Sequence, residues 1–340
     1  MSSWPHLFRV TILAVALGAG SGVVASALTS AYLVDYASQL GELSSPLRFG
    51  ERVPRPAGLT DAVLVSLRER VLPSTALFYA AAPGADGFDL AAPERVGVVL
   101  TSDGWMLTSA ESGRPAPTHV VVGREAYAVE RTAADPVSGT LFVKVAARNL
   151  PTVAFGGSEA LAPADLLFVA DGARALSSVR LRANVRPAAA SSDRAARRLH
   201  VDVALPGSPV YDADGELVGL AVDEDGAVPV ETFLPAFRAL LRDGAPTRGT
   251  LGLTYRDLSL SVGLQVSLPT TGLLVTSVGR GSAAEVGGVR AGDVLVSLDG
   301  RSLDGARSLD EELGGAAADQ TVTFVVDRNG ERRDVRVTLR

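Results

Sequence analysis

The sequence predicts a mainly β protein with two folded domains behind an apolar amino-terminal segment. Three features carry that expectation. First, short β-rich runs recur between Gly, Pro and Asp clusters: STALFYA (74–80), RVGVVLT (95–101), HVVVG (119–123), TLFVKV (140–145), DLLFVA (165–170), RLHVDVAL (198–205) and ELVGLAV (216–222). This spacing favours a barrel or sandwich over βαβ units. Second, the chain after Thr247 changes character, with strands at 272–278, 293–300, 321–330 and 333–339 and short helices at 281–288 and near 308–314. Third, 340 residues leave room for two domains at roughly 100–200 residues each.

The elements follow in chain order. Residues 1–9 carry Arg9, and 10–34 contain no charged residue. As a helix, 10–34 spans roughly 37 Å at about 1.5 Å per residue, enough to cross a bilayer with tilt. Arg9 before it and Asp35 after it place 1–9 in the cytoplasm and the remainder outside. A cleaved signal segment is the competing reading, with Ala25-Ser26-Ala27 as its cleavage site. Gly18, Gly22, Ser26 and Ser30 recur at a spacing that lets two membrane helices approach. Residues 35–60 read as a linker rich in Gly, Ser and Pro. A short helix is expected over 61–70, stopped by Pro73. Residues 230–244 form an amphipathic helix ending at Gly244. Asn329-Gly330 marks a tight hairpin.

Composition removes several classes of function. A net charge of −6 leaves no basic excess for nucleic-acid phosphates. The chain has no cysteine, so thiol catalysis, disulfides and cysteine-based metal sites are excluded. Histidine occurs only as His6, His119 and His200. No cofactor or metal is expected, and the acidic run Asp223-Glu224-Asp225 reads as a solvated turn.

The segment GSAAEVGGVRAGDVLVSLDG (281–300), RGTLGL (248–253) before it, and VLPSTALFYA (71–80) and GSEALAPADLLFVA (157–170) upstream resemble the HtrA/Deg family. Members are trypsin-like serine proteases with a carboxy-terminal PDZ domain. The resemblance covers roughly 61–340. It implies a trypsin-like double β-barrel over 61–245 and a small α+β PDZ domain over 247–340, preceded by one transmembrane helix. It also implies a place at the bacterial inner membrane, with the folded domains on the periplasmic side.

The family's catalytic motifs are altered here. Glu111 stands at the histidine position in GWMLTSAES (104–112), and Gly139 at the aspartate position in DPVSGTLFVK (135–144). The nucleophile motif is shortened to DVALPGSPV (202–210), where Ser208 precedes Pro209. A serine hydroxyl needs a base to take its proton, and glycine orients nothing. Loss of a triad costs about 10⁶ in kcat. The expectation is therefore a pseudoprotease that binds peptides or protein carboxy-termini through its PDZ domain, as an adaptor or modulator of envelope protein quality control. Two alternatives accompany it. One is an active endopeptidase rearranged around Ser208, with His200 and Asp202. The other is a structural partner in a homo- or hetero-trimer with HtrA-like proteins. The resemblance places carboxylate capture at Thr250, Leu251, Gly252 and Leu253, and the apolar pocket at Leu309 and Leu313. Extended peptides add to a PDZ sheet as a strand, and Gly252 allows close backbone approach.

Overall fold

The computed structural model describes residues 59–340 apart from 111–113, 173–175, 204, 224–225, 264–268 and 306. The apolar segment 10–34, nearly all of the linker, His6 and Glu111 lie outside the described residues. Among the described residues no helix is long and apolar enough to cross a membrane.

Helix α1 (Leu59–Val71) leads into the first barrel. Its strands are β1 (Thr75–Tyr79), β2 (Arg95–Val99), β3 (Trp105–Ser109), β4 (His119–Val122), β5 (Glu125–Asp135) and β6 (Thr140–Val145). They close in the order β1-β2-β3-β6-β5-β4, all antiparallel. β1, β2 and β3 are buried along their whole length, as their continuous apolar runs require. β5 has no apolar run and lies mostly exposed, so the sequence pattern did not announce it.

The second unit contains β7 (Leu166–Ala170), β8 (Leu176–Arg180), β9 (Ala183–Val185), β11 (Arg198–His200), β12 (Pro209–Tyr211), β13 (Leu217–Asp223) and β14 (Gly226–Pro229), while β10 (Ala189–Ser191) leaves it for another sheet. The sheet order is β8-β7-β12-β13-β14-β11-β9. Its two edge strands are consecutive in the chain. The Leu181 N–H still bonds across to Asp165, and the next amide, Arg182, donates to His200 of β11 at the other side of the sheet. One bent segment thus leads from one edge strand directly into the other. The strand expected over 198–205 stops at His200, because Leu205-Pro206-Gly207-Ser208 forms a turn.

Helix α2 (Val230–Asp243) ends at Gly244 in the left-handed region, φ 80°. It packs on a core made by both barrels. Leu67, Val98, Leu107, Phe142, Phe168, Tyr211, Leu220 and Phe233 belong to that cluster. Phe142 of β6 stacks on Phe237 of α2 with centroids 5.5 Å apart.

The carboxy-terminal unit is built from β15 (Leu253–Asp257), β16 (Leu273–Val278), helix α3 (Ala283–Val286), β17 (Val294–Leu298), β18 (Arg301–Ser302), helix α4 (Leu309–Leu313), β19 (Thr321–Arg328) and β20 (Glu331–Thr338). β19 and β20 pair through the expected Asn329-Gly330 hairpin, both turn residues having positive φ. The sheet runs β10-β15-β16-β17-β19-β20, so a strand from the barrel region completes it.

Phe142→Ala removes the ring that joins β6 to α2 inside a closed core. It is expected to lower unfolding stability by about 3–5 kcal/mol in urea melts.

Candidate functional site

Gly139 and Ser208, two of the positions to which the resemblance assigns catalysis, lie on turns that touch the opposite barrel. The amide of Ala110, next to Glu111, donates to Gly139 O at 2.8 Å. A Cβ on Gly139 would touch Val222 of β13. Gly139 has φ +70° and donates its N–H to Asp135 O at 2.9 Å. Asp135 accepts from the Val137 amide at 3.2 Å and the Ser138 hydroxyl at 2.6 Å. Its charge is met by Arg248 at 2.5 Å, with both side chains buried. The loop that carries an aspartate in the family is here a tight turn closed by glycine, tied to the linker before the last domain. Sequence spacing gave no sign of the Asp135–Arg248 pair.

Ser208 lies at the end of a turn. Pro206 and Gly207 occupy its centre, Gly207 with φ +86°, and Ser208 N–H returns to Leu205 O at 3.2 Å. Proline followed by a positive-φ glycine is what a type II turn requires. The Gly207 amide donates to Ala221 O at 2.8 Å, and Pro206 O accepts from Val96 N–H at 3.2 Å. A Cβ on Gly207 would fall 2.0 Å from Val96 O and 2.4 Å from Thr108 Oγ1. The turn is thus seated directly on β2 and β3. Ser208 is fully buried, and its hydroxyl donates to Asp171 at 3.4 Å, a long bond. Asp202 pairs with Arg182 at 3.0 Å, and the His200 carbonyl accepts from the Arg182 amide. Of the residues in the Ser208–His200–Asp202 grouping weighed from sequence, Ser208 bonds Asp171 and Asp202 pairs with Arg182. Asp171 was missed because nothing in its local sequence points at residue 208.

The resemblance assigns a peptide groove to β15 and α4. Leu251, Leu253, Leu309 and Leu313 are all buried in the domain's own apolar core. The Leu309 amide donates to the Tyr255 hydroxyl at 3.3 Å, tying α4 to β15. The amides of Leu251 and Gly252 donate to one carboxylate oxygen, Asp193 Oδ1, at 2.9 and 3.2 Å. Thr250 differs from expectation: its amide and hydroxyl donate to Arg340 O at 2.7 and 2.8 Å. The main chain at 250 is therefore engaged in the domain's closure. Gly252 has φ +77°, and a Cβ there would stand 2.4 Å from the Ser282 Cβ. The close approach that demands glycine is to the cap of α3.

Asp310, at the start of α4, accepts from the Ala196 amide at 3.3 Å. Burial is the main cause that pushes its carboxyl up to about 6, with the nearby Glu311 charge adding to it. Arg248 and Tyr255 also sense its charge, and burial together with Asp310 holds the Tyr255 phenol above its ordinary range. A carboxyl raised in the fold binds its proton more tightly there than in the unfolded chain. Its contribution is present below pH 3.8 and is lost as pH rises to about 6. Asp310→Asn is expected to flatten stability over that window, measured by urea unfolding at several pH values.

Residues 249–339 match the family model described as "PDZ domain". The chain is 28% identical over 269 residues to a "Probable periplasmic serine endoprotease DegP-like" of Ectopseudomonas mendocina (strain ymp), covering 72% of this chain and 55% of the relative. It is 29% identical over 274 residues to a protein of the same description from Halomonas elongata, with the same shares covered. The chain thus spans about half the length of the curated relatives it matches. Among solved structures, "HtrA-type protease AlgW with tripeptide" superposes with a TM-score of 0.62 at 21% identity, covering 81% of this chain and 97% of that one. The serine endoprotease from Yersinia pestis superposes with a TM-score of 0.53 at 16% identity, covering 81% and 96%. The chain has the fold of HtrA-type proteases, trypsin-like barrels followed by a PDZ domain.

Proposed function

We propose that this chain is an HtrA-like pseudoprotease that binds peptides or protein carboxy-termini through its PDZ domain. The observation that carries the reading is the Leu205–Ser208 turn. An oxyanion hole needs backbone amides free to point at the developing charge, and losing one such donor costs about 10²–10³ in kcat. Here the Gly207 amide is given to Ala221 and the Ser208 amide to Leu205. Gly139 supplies no carboxylate, and the Ser208 hydroxyl faces Asp171 rather than an imidazole. A carboxylate takes up a proton with little driving force near neutral pH, so it is a poor base for a serine hydroxyl.

The binding half rests on the loop amides of Leu251 and Gly252, which hold a carboxylate in this fold. Peptide-bound HtrA-type relatives are in keeping with that chemistry. The uncharged segment 10–34 would anchor the protein, with residues 61–340 on the extracytoplasmic side. There it would act as an adaptor or modulator in envelope protein quality control. The descriptions of the curated relatives as serine endoproteases favour the opposite reading, an active endopeptidase, for which Ser208 would be the nucleophile.

A β-casein digestion assay separates the two. Purified protein is expected to leave casein intact, with wild type and Ser208→Ala alike. Turnover by wild type that disappears in Ser208→Ala would establish the peptidase instead.

A further inference from the structure

β9 and β11 pair as neighbours in the barrel sheet, and the loop between them, residues 186–197, leaves that sheet. It reaches the PDZ groove and lies in it. β10 runs antiparallel to β15, with Ala189, Ala190 and Ser191 opposite Arg256, Tyr255 and Thr254. The ladder continues at both ends: Asp257 N–H donates to Ala188 O at 2.7 Å, and Ser192 N–H donates to Leu253 O at 3.0 Å. Ala190 packs on the PDZ core. The loop's ends are fastened as well. The Arg186 guanidinium donates to Gly305 O, and Arg197 pairs with Glu311 at 3.4 Å, both side chains largely buried.

The decisive contact is at Asp193. Its Oδ1 takes the amides of Leu251 and Gly252, while the Leu253 amide donates to Ser192 Oγ at 3.1 Å. Strand addition plus capture of a carboxylate by successive backbone amides is how such a groove reads a chain end. Ser192 occupies the place of a last residue, since its N–H is the final rung of the ladder. The Asp193 side chain then supplies what a free terminus would supply from its main chain.

We propose that loop 186–197 is a built-in ligand of the PDZ groove, with the Asp193 carboxylate in the seat of a chain terminus, and that a free carboxy-terminal peptide binds by displacing it. This rests on the peptide-binding reading above. The displaced segment also defines the ligand class: an extended tail with a free carboxylate and a small residue two places before its end, where Ala190 now sits. Because the loop is tethered, it competes at a high effective concentration, and the observed affinity falls by the fraction of open groove. The same loop donates Ala195 N–H to Val137 O at 2.9 Å and Ala196 N–H to Asp310. Displacement therefore releases contacts on the Asp135–Gly139 turn, which links groove occupancy to the barrel cleft.

The test uses the full chain in detergent and an amino-terminally labelled peptide of residues 185–192, VRPAAASS, made as the free acid and as the amide. Asp193→Ala is expected to bind the acid at least about ten-fold more tightly than wild type, since a charge-assisted pair of hydrogen bonds is lost only from the competitor. The amide gains nothing. Ser191 and Thr254 face each other in a non-hydrogen-bonded pair with Cα atoms about 4.5 Å apart, within disulfide reach. In this cysteine-free chain, oxidised S191C/T254C is expected to cross-link, lose acid binding and regain it on reduction. Failure to cross-link, or equal affinity in wild type and Asp193→Ala, overturns the proposal while leaving peptide binding intact. A clean cross-link with no acid binding by any reduced variant overturns displacement and the peptide-binding reading together.

Discussion

A strand at the edge of a sheet leaves a row of backbone donors and acceptors that must find partners. In this chain that requirement falls on β15, and the barrel domain meets it through β10. The pairing fixes much else. It holds the PDZ domain against the barrels, sets Asp193 under the carboxylate loop and brings Asp310 and Glu311 of α4 onto residues 196 and 197. The buried Asp135–Arg248 pair reinforces the same junction from the linker side. A buried ion pair adds little net stability over an apolar packing, but removing one partner is costly.

The cleft between the barrels follows a similar logic of backbone groups already committed. The shortened nucleophile motif folds as a turn whose amides bond inward to Ala221 and Leu205. Gly207 permits this because no side chain fits between the turn and β2. On the proposed reading, the geometry that stabilises the turn leaves the amides of 207 and 208 committed rather than free for acyl-transfer chemistry. Gly139 completes the change, since its positive φ suits the turn closed by Asp135. In the carboxy-terminal domain the amides of Leu251 and Gly252 hold the Asp193 carboxylate.

Much of the fold was legible because apolar patterning reports burial. The fully buried runs of β1 to β3, the amphipathic α2 with its Gly244 stop and the Asn329-Gly330 hairpin all stood out in the sequence. Strands without an apolar run did not: β5 is largely exposed, and β10 consists of Ala-Ala-Ser. The run 198–205 read as one strand, but only 198–200 pair, because Pro206 and Gly207 impose a turn. Of the residues expected to line the peptide site, Leu251, Leu253, Leu309 and Leu313 lie in the domain core, Thr250 is spent on Arg340 and Gly252 serves the Ser282 cap.

The sequence by itself determined the mainly β architecture and the PDZ motif. These depend on local pattern and residue type, which any stretch of chain displays. Only the tertiary structure decided where the amides at 207 and 208 point, which carboxylate faces Ser208 and what fills the PDZ groove. Asp193 reaches amides 58 and 59 positions away, and Asp171 lies 37 positions from Ser208. Such pairs join residues whose neighbours in sequence are small and unpatterned. Nothing local marks them: Asp193 meets its amides because β10 joins the carboxy-terminal sheet, and Asp171 lies near Ser208 because β7 pairs with β12.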